Sequence, residues 1–276
     1  MTQLWCNGQW LDALDFPASP TDRGVALGLG LFETILALDG VPVFAGCHLA
    51  RLAEGCGRLG WQIPSADCAE IMGELLDRNQ LRRGRARIRL AITGGSGPVQ
   101  DLALGADHMM WMVATAAADL PLTTTANFAP WVRNERSPLA GLKCASYAEN
   151  LVALDHAARL GFEETVFLNT RGELCEAATA NLFVVKNDAL FTPALASGCL
   201  PGITRGVVIE LAGQLGIPCV QGPLTAPDLL SADEWFLTSS IRGLAGGSRF
   251  EDRRFPQGAV TCLLRDAWNA AIRRAI

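Results

Sequence analysis

The chain has 276 residues, half of them apolar, with 18% charged residues and a formal net charge of −5. That length suits one large domain or two of ordinary size. The acidic balance argues against a nucleic-acid-binding protein, which usually shows a basic stripe, and no apolar run approaches membrane-spanning length. A small-molecule substrate is expected, with neither nucleic acid nor membrane as partner. The N-terminus lacks signal-peptide architecture, so a cytoplasmic location is expected.

Asn7 with Gly8, and Asp39 with Gly40, read as hairpin turns. Residues 32–38 predict a strand and 41–44 its return partner. Leu49, Leu52, Ala53 and Cys56 recur at helical spacing and predict a helix over 48–59. A second helix is predicted over 65–78, with Ser65 as its N-cap. Strands follow at 86–93 and 108–116, joined through Gly94, Gly95, Ser96, Gly97 and Pro98. The small, polar stretch 116–125, which contains Pro121, reads as a linker. The expected division is an N-terminal domain over 1–116, a linker over 117–125 and a C-terminal domain over 126–276.

Beyond the linker, a helix over 147–160 leads to a strand over 165–168 and a turn at 169–172. Strands at 182–186 and 189–192 come next. A helix starts near Ile203 and stops near Gly216, Ile217 and Pro218. A strand at 235–238 and an amphipathic helix over 258–276 close the chain. The fold class is α+β.

The nine cysteines are scattered singly and form no Cys-x-x-Cys, which suits reduced thiols. The three histidines show no ligand spacing, so no metal site is expected. Lys143 and Lys186 are the two lysines available for any lysine chemistry.

Chemistry-bearing residues concentrate over 176–205. Glu176 lies in an apolar setting of Leu174, Cys175, Ala177 and Ala178, so partial burial is expected, and a buried carboxylate needs a partner. A protonated pyridine nitrogen would be such a partner, making the ring an electron sink; capping of local backbone would suit the same pattern. Pro201 and Gly202 turn into a helix whose first N–H groups, with the Thr204 hydroxyl, form an anion site. Alone, this is also an ordinary helix start. No lysine follows, as a nucleotide phosphate loop would require.

Lys143 has small and apolar neighbours, and desolvation would make its amine nucleophilic. Lys186 sits among polar turn residues and reads as solvated. Tyr147, four residues after Lys143, offers a phenol to a cofactor oxygen or fills a half-buried core position. Arg51, among apolar helix positions, suits a phosphate or an ion pair. Ser239 and Ser240 follow a strand and offer hydroxyls, or serve as loop serines.

Taken together, these residues resemble the pyridoxal 5'-phosphate (PLP) enzymes of fold type IV, the class IV aminotransferase family. That family includes branched-chain aminotransferases, D-amino acid aminotransferases and 4-amino-4-deoxychorismate lyases. The resemblance covers nearly the whole chain. It implies two domains: a small α/β N-terminal one and a larger, sheet-rich C-terminal one with helices that binds the cofactor. It implies Lys143 as the Schiff-base lysine and Glu176 as partner of the pyridine nitrogen. Arg51, Ile203, Thr204 and Ser240 are implied as phosphate contacts, Ile203 and Thr204 through their N–H groups, with Tyr147 near the phenolic oxygen. A homodimer is implied.

Within the family, the first half is most similar to the aminodeoxychorismate lyases. Trp5-Cys6-Asn7-Gly8, Asp22-Arg23-Gly24, Phe32-Glu33-Thr34-Ile35, the stretch 48–60 and Gly141-Leu142-Lys143 carry that likeness. The implied reaction releases pyruvate and leaves 4-aminobenzoate, a folate precursor. The alternative is an aminotransferase acting on branched-chain or D-amino acids. Phe32, Thr34 and Arg89 are the pocket candidates, Arg89 for a substrate carboxylate. The chain departs from the family pattern at Leu27, Leu29, Val99 and the pair Ala245-Gly246.

Overall fold

A computed structural model describes residues 2–62 and 66–275. The chain divides into two units. The first holds the residues up to Asp119, the segment Leu142–Tyr147 and the chain end from Arg274. The second holds Leu120–Gly141 and Ala148–Arg273.

The first unit is built on hairpins. β1 (Gln3–Cys6) and β2 (Gln9–Asp12) turn on Asn7 and Gly8, both at positive φ, as a tight two-residue hairpin requires. Asp39 and Gly40 repeat that turn between β3 (Gly30–Leu38) and β4 (Val41–Pro42). β5 (Arg85–Thr93) and β6 (Met110–Ala116) complete an antiparallel sheet, in the order β2-β1-β6-β5-β3-β4 among the described residues.

Alternation gives this sheet two different faces. Ile35, Ala37, Ile88, Leu90, Met112 and Ala114 join Leu52, Cys56, Met72, Leu75 and Leu76 in one buried cluster. Those partners come from α2 (Ala45–Arg58) and α3 (Cys68–Arg78). The opposite face carries Phe32 and Thr34 on β3 and Arg89 on β5.

α1 (Arg23–Leu27), absent from the sequence expectation, is a single turn capped by Asp22. α2 begins three residues before the expected start, after Phe44 at φ 53°. The expected cap of α3, Ser65, lies outside the described residues. Asp67 caps that helix, accepting from the N–H groups of Ala69 and Glu70.

The second unit holds a larger sheet. Its strands are β7 (Thr123–Arg133), β8 (Glu164–Asn169), β9 (Leu174–Ala177), β10 (Asn181–Lys186), β11 (Ala189–Pro193), β12 (Cys219–Gly222), β13 (Glu234–Ser239), β14 (Gly243–Phe250) and β15 (Arg253–Arg254). Among the described residues the order is β12-β11-β10-β13-β14-β7-β8-β9, with β15 on β14. β11 with β12, β14 with β7 and β7 with β8 are parallel; the other pairs are antiparallel.

α4 (Ala148–Arg159) packs on β7 and β8, and α5 (Ile203–Gln214) on β12 and β13. α6 (Ala226–Leu230) and α7 (Ala259–Ala275) complete the unit. Leu182, Val184, Trp235, Leu237, Phe250 and Phe255 form its main core.

The boundary between the units at Asp119 and Leu120 falls inside the expected linker over 117–125, and β7 begins within that range, at Thr123. Its threonines and Pro130 mask the alternation, yet neighbours pair with it on both sides. β9, β12, β14, β15 and α6 are also absent from the sequence expectation. All but β14 are short, and β14 is rich in glycine.

One of those glycines is required by packing. A Cβ at Gly247 would lie 1.8 Å from the Trp235 ring, and Trp235 is buried. Overpacking of this kind costs about 1–3 kcal/mol. Gly247→Ala is therefore expected to destabilise the fold by about 2 kcal/mol or more in urea unfolding, with intrinsic tryptophan fluorescence as the probe.

Candidate active site

In the first unit, Leu142–Tyr147 runs beside the start of β3. The Phe32 N–H donates to the Lys143 carbonyl at 3.0 Å, and the Ala145 N–H donates to the Gly30 carbonyl at 2.8 Å. Leu31 and Cys144 form the antiparallel bridge between those bonds. Backbone pairing thus sets where the Lys143 side chain emerges.

Phe32 is the hub of this half. It is buried, and Lys143 Nζ lies 4.5 Å from its ring centroid. The Arg89 guanidinium carbon lies 3.5 Å from the same centroid. The Tyr147 ring meets Phe32 edge-on at 5.6 Å. Arg89 Nη1 donates to the Thr34 hydroxyl at 3.2 Å. An aromatic face attracts cations most when desolvated. The sequence-predicted residues Lys143, Tyr147, Phe32, Thr34 and Arg89 are therefore brought together.

Arg51 is placed by a different interaction. It projects from α2 and grips Glu33 with two N–H groups, Nε at 2.8 Å and Nη2 at 2.6 Å. His48 Nδ1 donates to the same carboxylate at 2.7 Å. Glu33 is only 1% exposed and Arg51 10%, so this is a buried ion pair rather than a surface one.

Burial alone would raise the Glu33 carboxyl, but the hydrogen bonds from His48 and Arg51 outweigh it and hold it below the ordinary range. Burial, the largest influence, pushes the His48 imidazole below its ordinary range despite Glu33; Arg51 and Lys143 push the same way. The sequence reading does not single out Glu33 and His48 as a buried charge network. The signal is present in the letters: an acid inside a buried strand requires a cationic partner.

The second unit carries the acid and the helix start in one hydrogen-bonded cluster. Glu176, half-buried on β9, accepts from the Leu200 N–H at 2.9 Å and from Asn181 Nδ2 at 3.4 Å. Asn181 Nδ2 also donates to the Leu200 carbonyl at 2.9 Å. A Cβ at Gly202 would fall 1.9 Å from Asn181 Oδ1, so the backbone passes where no side chain fits. Gly202 is the N-cap of α5 and supplies no side-chain cap to it.

Ile203 opens that helix and Thr204 is buried in its first turn. Ser239 ends β13, with its hydroxyl accepting from the Arg242 N–H at 3.4 Å, and Ser240 follows it, half-buried. Lys186 is exposed, its amine donating to the Ser231 hydroxyl at 3.3 Å. A buried-leaning acid beside an open helix start fits a cofactor with a protonated ring nitrogen and a phosphate.

The model of the class IV amino-transferases matches residues 30–250. The chain belongs to the class IV aminotransferase family. It is 26% identical over 280 residues to the aminodeoxychorismate lyase of Bacillus subtilis (strain 168), covering 99% of this chain and 96% of that one. It is 27% identical over 252 residues to the branched-chain-amino-acid aminotransferase of Escherichia coli (strain K12), covering 86% and 81%.

The fold matches that of the branched-chain aminotransferase from Thermoproteus uzoniensis with norvaline. The TM-score is 0.90 at 24% identity, over 99% of this chain and 95% of that one. A branched-chain amino acid aminotransferase with pyridoxamine 5'-phosphate shares the fold as well, with a TM-score of 0.88 at 22% identity. The family is one of PLP enzymes, and its members similar to this chain include both a lyase and aminotransferases.

The Glu33 network has a measurable pH signature. A histidine depressed in the folded state binds its proton more readily once unfolded, so stability falls as pH drops below the ordinary histidine value. Between pH 7.5 and 5, wild-type stability is expected to fall with a slope approaching about 1.4 kcal/mol per pH unit from His48. His48→Gln should remove that part of the slope in urea unfolding followed across pH.

Proposed function

We propose that the chain is a PLP-dependent 4-amino-4-deoxychorismate lyase, releasing pyruvate and 4-aminobenzoate in folate biosynthesis and working as a cytoplasmic homodimer. The observation that carries this reading is the grouping of Lys143, Arg89 and Tyr147 on Phe32, with Thr34 bonded to Arg89. Similarity to the Bacillus lyase over 99% of the chain supports it.

Lys143 would hold the cofactor covalently, and Glu176 would face its ring nitrogen. Arg51, the N–H groups of Ile203 and Thr204, Ser239 and Ser240 would meet its phosphate, and Tyr147 its phenolic oxygen. When bound, PLP supplies an electron sink for charge developing at the amine-bearing carbon. Glu176 would keep the ring nitrogen protonated through charge pairing. Lys143 would take the proton from the amine-bearing carbon as general base. Arg89 holds a substrate carboxylate, and Thr34 orients Arg89. Lys143 would return that proton to the ether oxygen of the enolpyruvyl group, which would leave as the enol of pyruvate as its bond to the ring breaks and the ring becomes aromatic.

A second reading, an aminotransferase acting on branched-chain or D-amino acids, is supported by the similarity to the E. coli enzyme. One assay separates the two. Purified enzyme loaded with PLP is expected to release pyruvate and 4-aminobenzoate from aminodeoxychorismate. Release of keto acid from amino donors instead would overturn the lyase reading. Lys143→Ala is expected to lower turnover by more than about 10³-fold, since it removes both the covalent anchor and the base.

A further inference from the structure

Arginines at alternate positions of β5, Arg85, Arg87 and Arg89, share one face of the sheet. Their β3 partners are Leu38, Leu36 and Thr34, two residues apart along the strand that carries Phe32. A row of cations therefore runs outward from the Phe32 ring.

Its members differ in how their charge is met. Arg85 has Asp119 at 3.4 Å, and the nearby Arg82 is paired with Asp77. Among the described residues, neither Arg87 nor Arg89 has a carboxylate within ion-pair distance. Their hydrogen bonds go to hydroxyls, Thr115 for Arg87 at 3.5 Å and Thr34 for Arg89 at 3.2 Å. Burial lowers the Arg89 guanidinium from its ordinary value; Tyr147 opposes that, the charge of Arg87 adds to the lowering, and Glu33 opposes it. Two like charges side by side with no acid in direct ion-pair contact are unfavourable in a chain with 28 acidic residues to draw on. That arrangement suits an anion supplied from outside.

We propose that Arg87 and Arg89 form a paired guanidinium site for a substrate carrying two carboxylates, Arg89 holding the one nearer Lys143 and Arg87 the outer one. This rests on the reading of Arg89 and Lys143 as pocket residues. Residues two apart on a strand are on the order of 6–7 Å apart, a span that a ring carboxylate and the carboxylate of an ether-linked side chain can bridge with long arginine side chains. Each guanidinium can engage a carboxylate through two parallel N–H donors. An amino acid with a single carboxylate and an apolar chain would leave Arg87 unused. The outer arginine thus selects for a dicarboxylate amine over a branched-chain amino acid.

The test uses the PLP-loaded enzyme and two inert probes, isophthalate with two ring carboxylates and benzoate with one. Calorimetry on wild type is expected to show isophthalate binding at least about tenfold more tightly than benzoate, the worth of one charge-assisted contact. Arg87→Gln is expected to abolish that preference, and Arg87→Lys, which keeps the charge but loses the fork, to retain part of it. Arg87 is exposed, and a thermal melt verifies that each variant is folded. Equal binding of the two probes by wild type, or an undiminished preference in Arg87→Gln, would overturn the proposal. Failure of the lyase reading is seen separately, as absence of pyruvate and 4-aminobenzoate, because probe binding requires no turnover.

Discussion

The first unit's half of the candidate site depends on one stretch of backbone pairing, that of Leu142–Tyr147 with the first residues of β3. Two hydrogen bonds and one bridge tie a lysine and a tyrosine to a strand buried along nearly its whole length. The alternation of that strand then distributes tasks between adjacent residues. Phe32 and Thr34 present one face to Lys143, Tyr147 and Arg89. Glu33, between them, points to the other face and anchors α2 through Arg51 and His48. A slip of one residue in this register would exchange the two sets.

The buried acid at that junction is held by partners on a single helix. His48 and Arg51 stand three residues apart on α2 and so share one side of it. Removing Arg51 would leave Glu33 under-compensated in a site with almost no water contact, a loss that commonly costs about 3–5 kcal/mol, while removing His48 would cost the hydrogen bond it donates. The same contacts orient the Arg51 fork. If Arg51 meets a phosphate, as proposed, its direction is set by Glu33 before any cofactor arrives.

Much of this is legible in the sequence, for physical reasons that can be named. The Asn7-Gly8 and Asp39-Gly40 turns are readable because a two-residue hairpin needs positive φ at both positions. α5 is readable from the Pro201-Gly202 turn, and the grouping of Phe32, Thr34 and Arg89 from the family resemblance. β7 is hidden by its threonines and Pro130, and β14 by glycines such as Gly247 that serve Trp235 rather than a turn. The return of Leu142–Tyr147 to the first unit leaves no local signal, because it is made by long-range backbone bonds that any side chains could accompany. The charge alternation of β5 is present in the letters, but its meaning depends on knowing which arginines have acids nearby.

The central claim is that Lys143, placed on the Phe32 ring by this pairing, is the lysine that carries the cofactor. It is tested most directly by reducing the PLP-loaded enzyme with borohydride and mapping the modified lysine by peptide mass spectrometry. The account predicts the pyridoxyl mass on the peptide containing Lys143 and none on that containing Lys186. A label on Lys186, or no covalent label on enzyme that retains PLP, would contradict it.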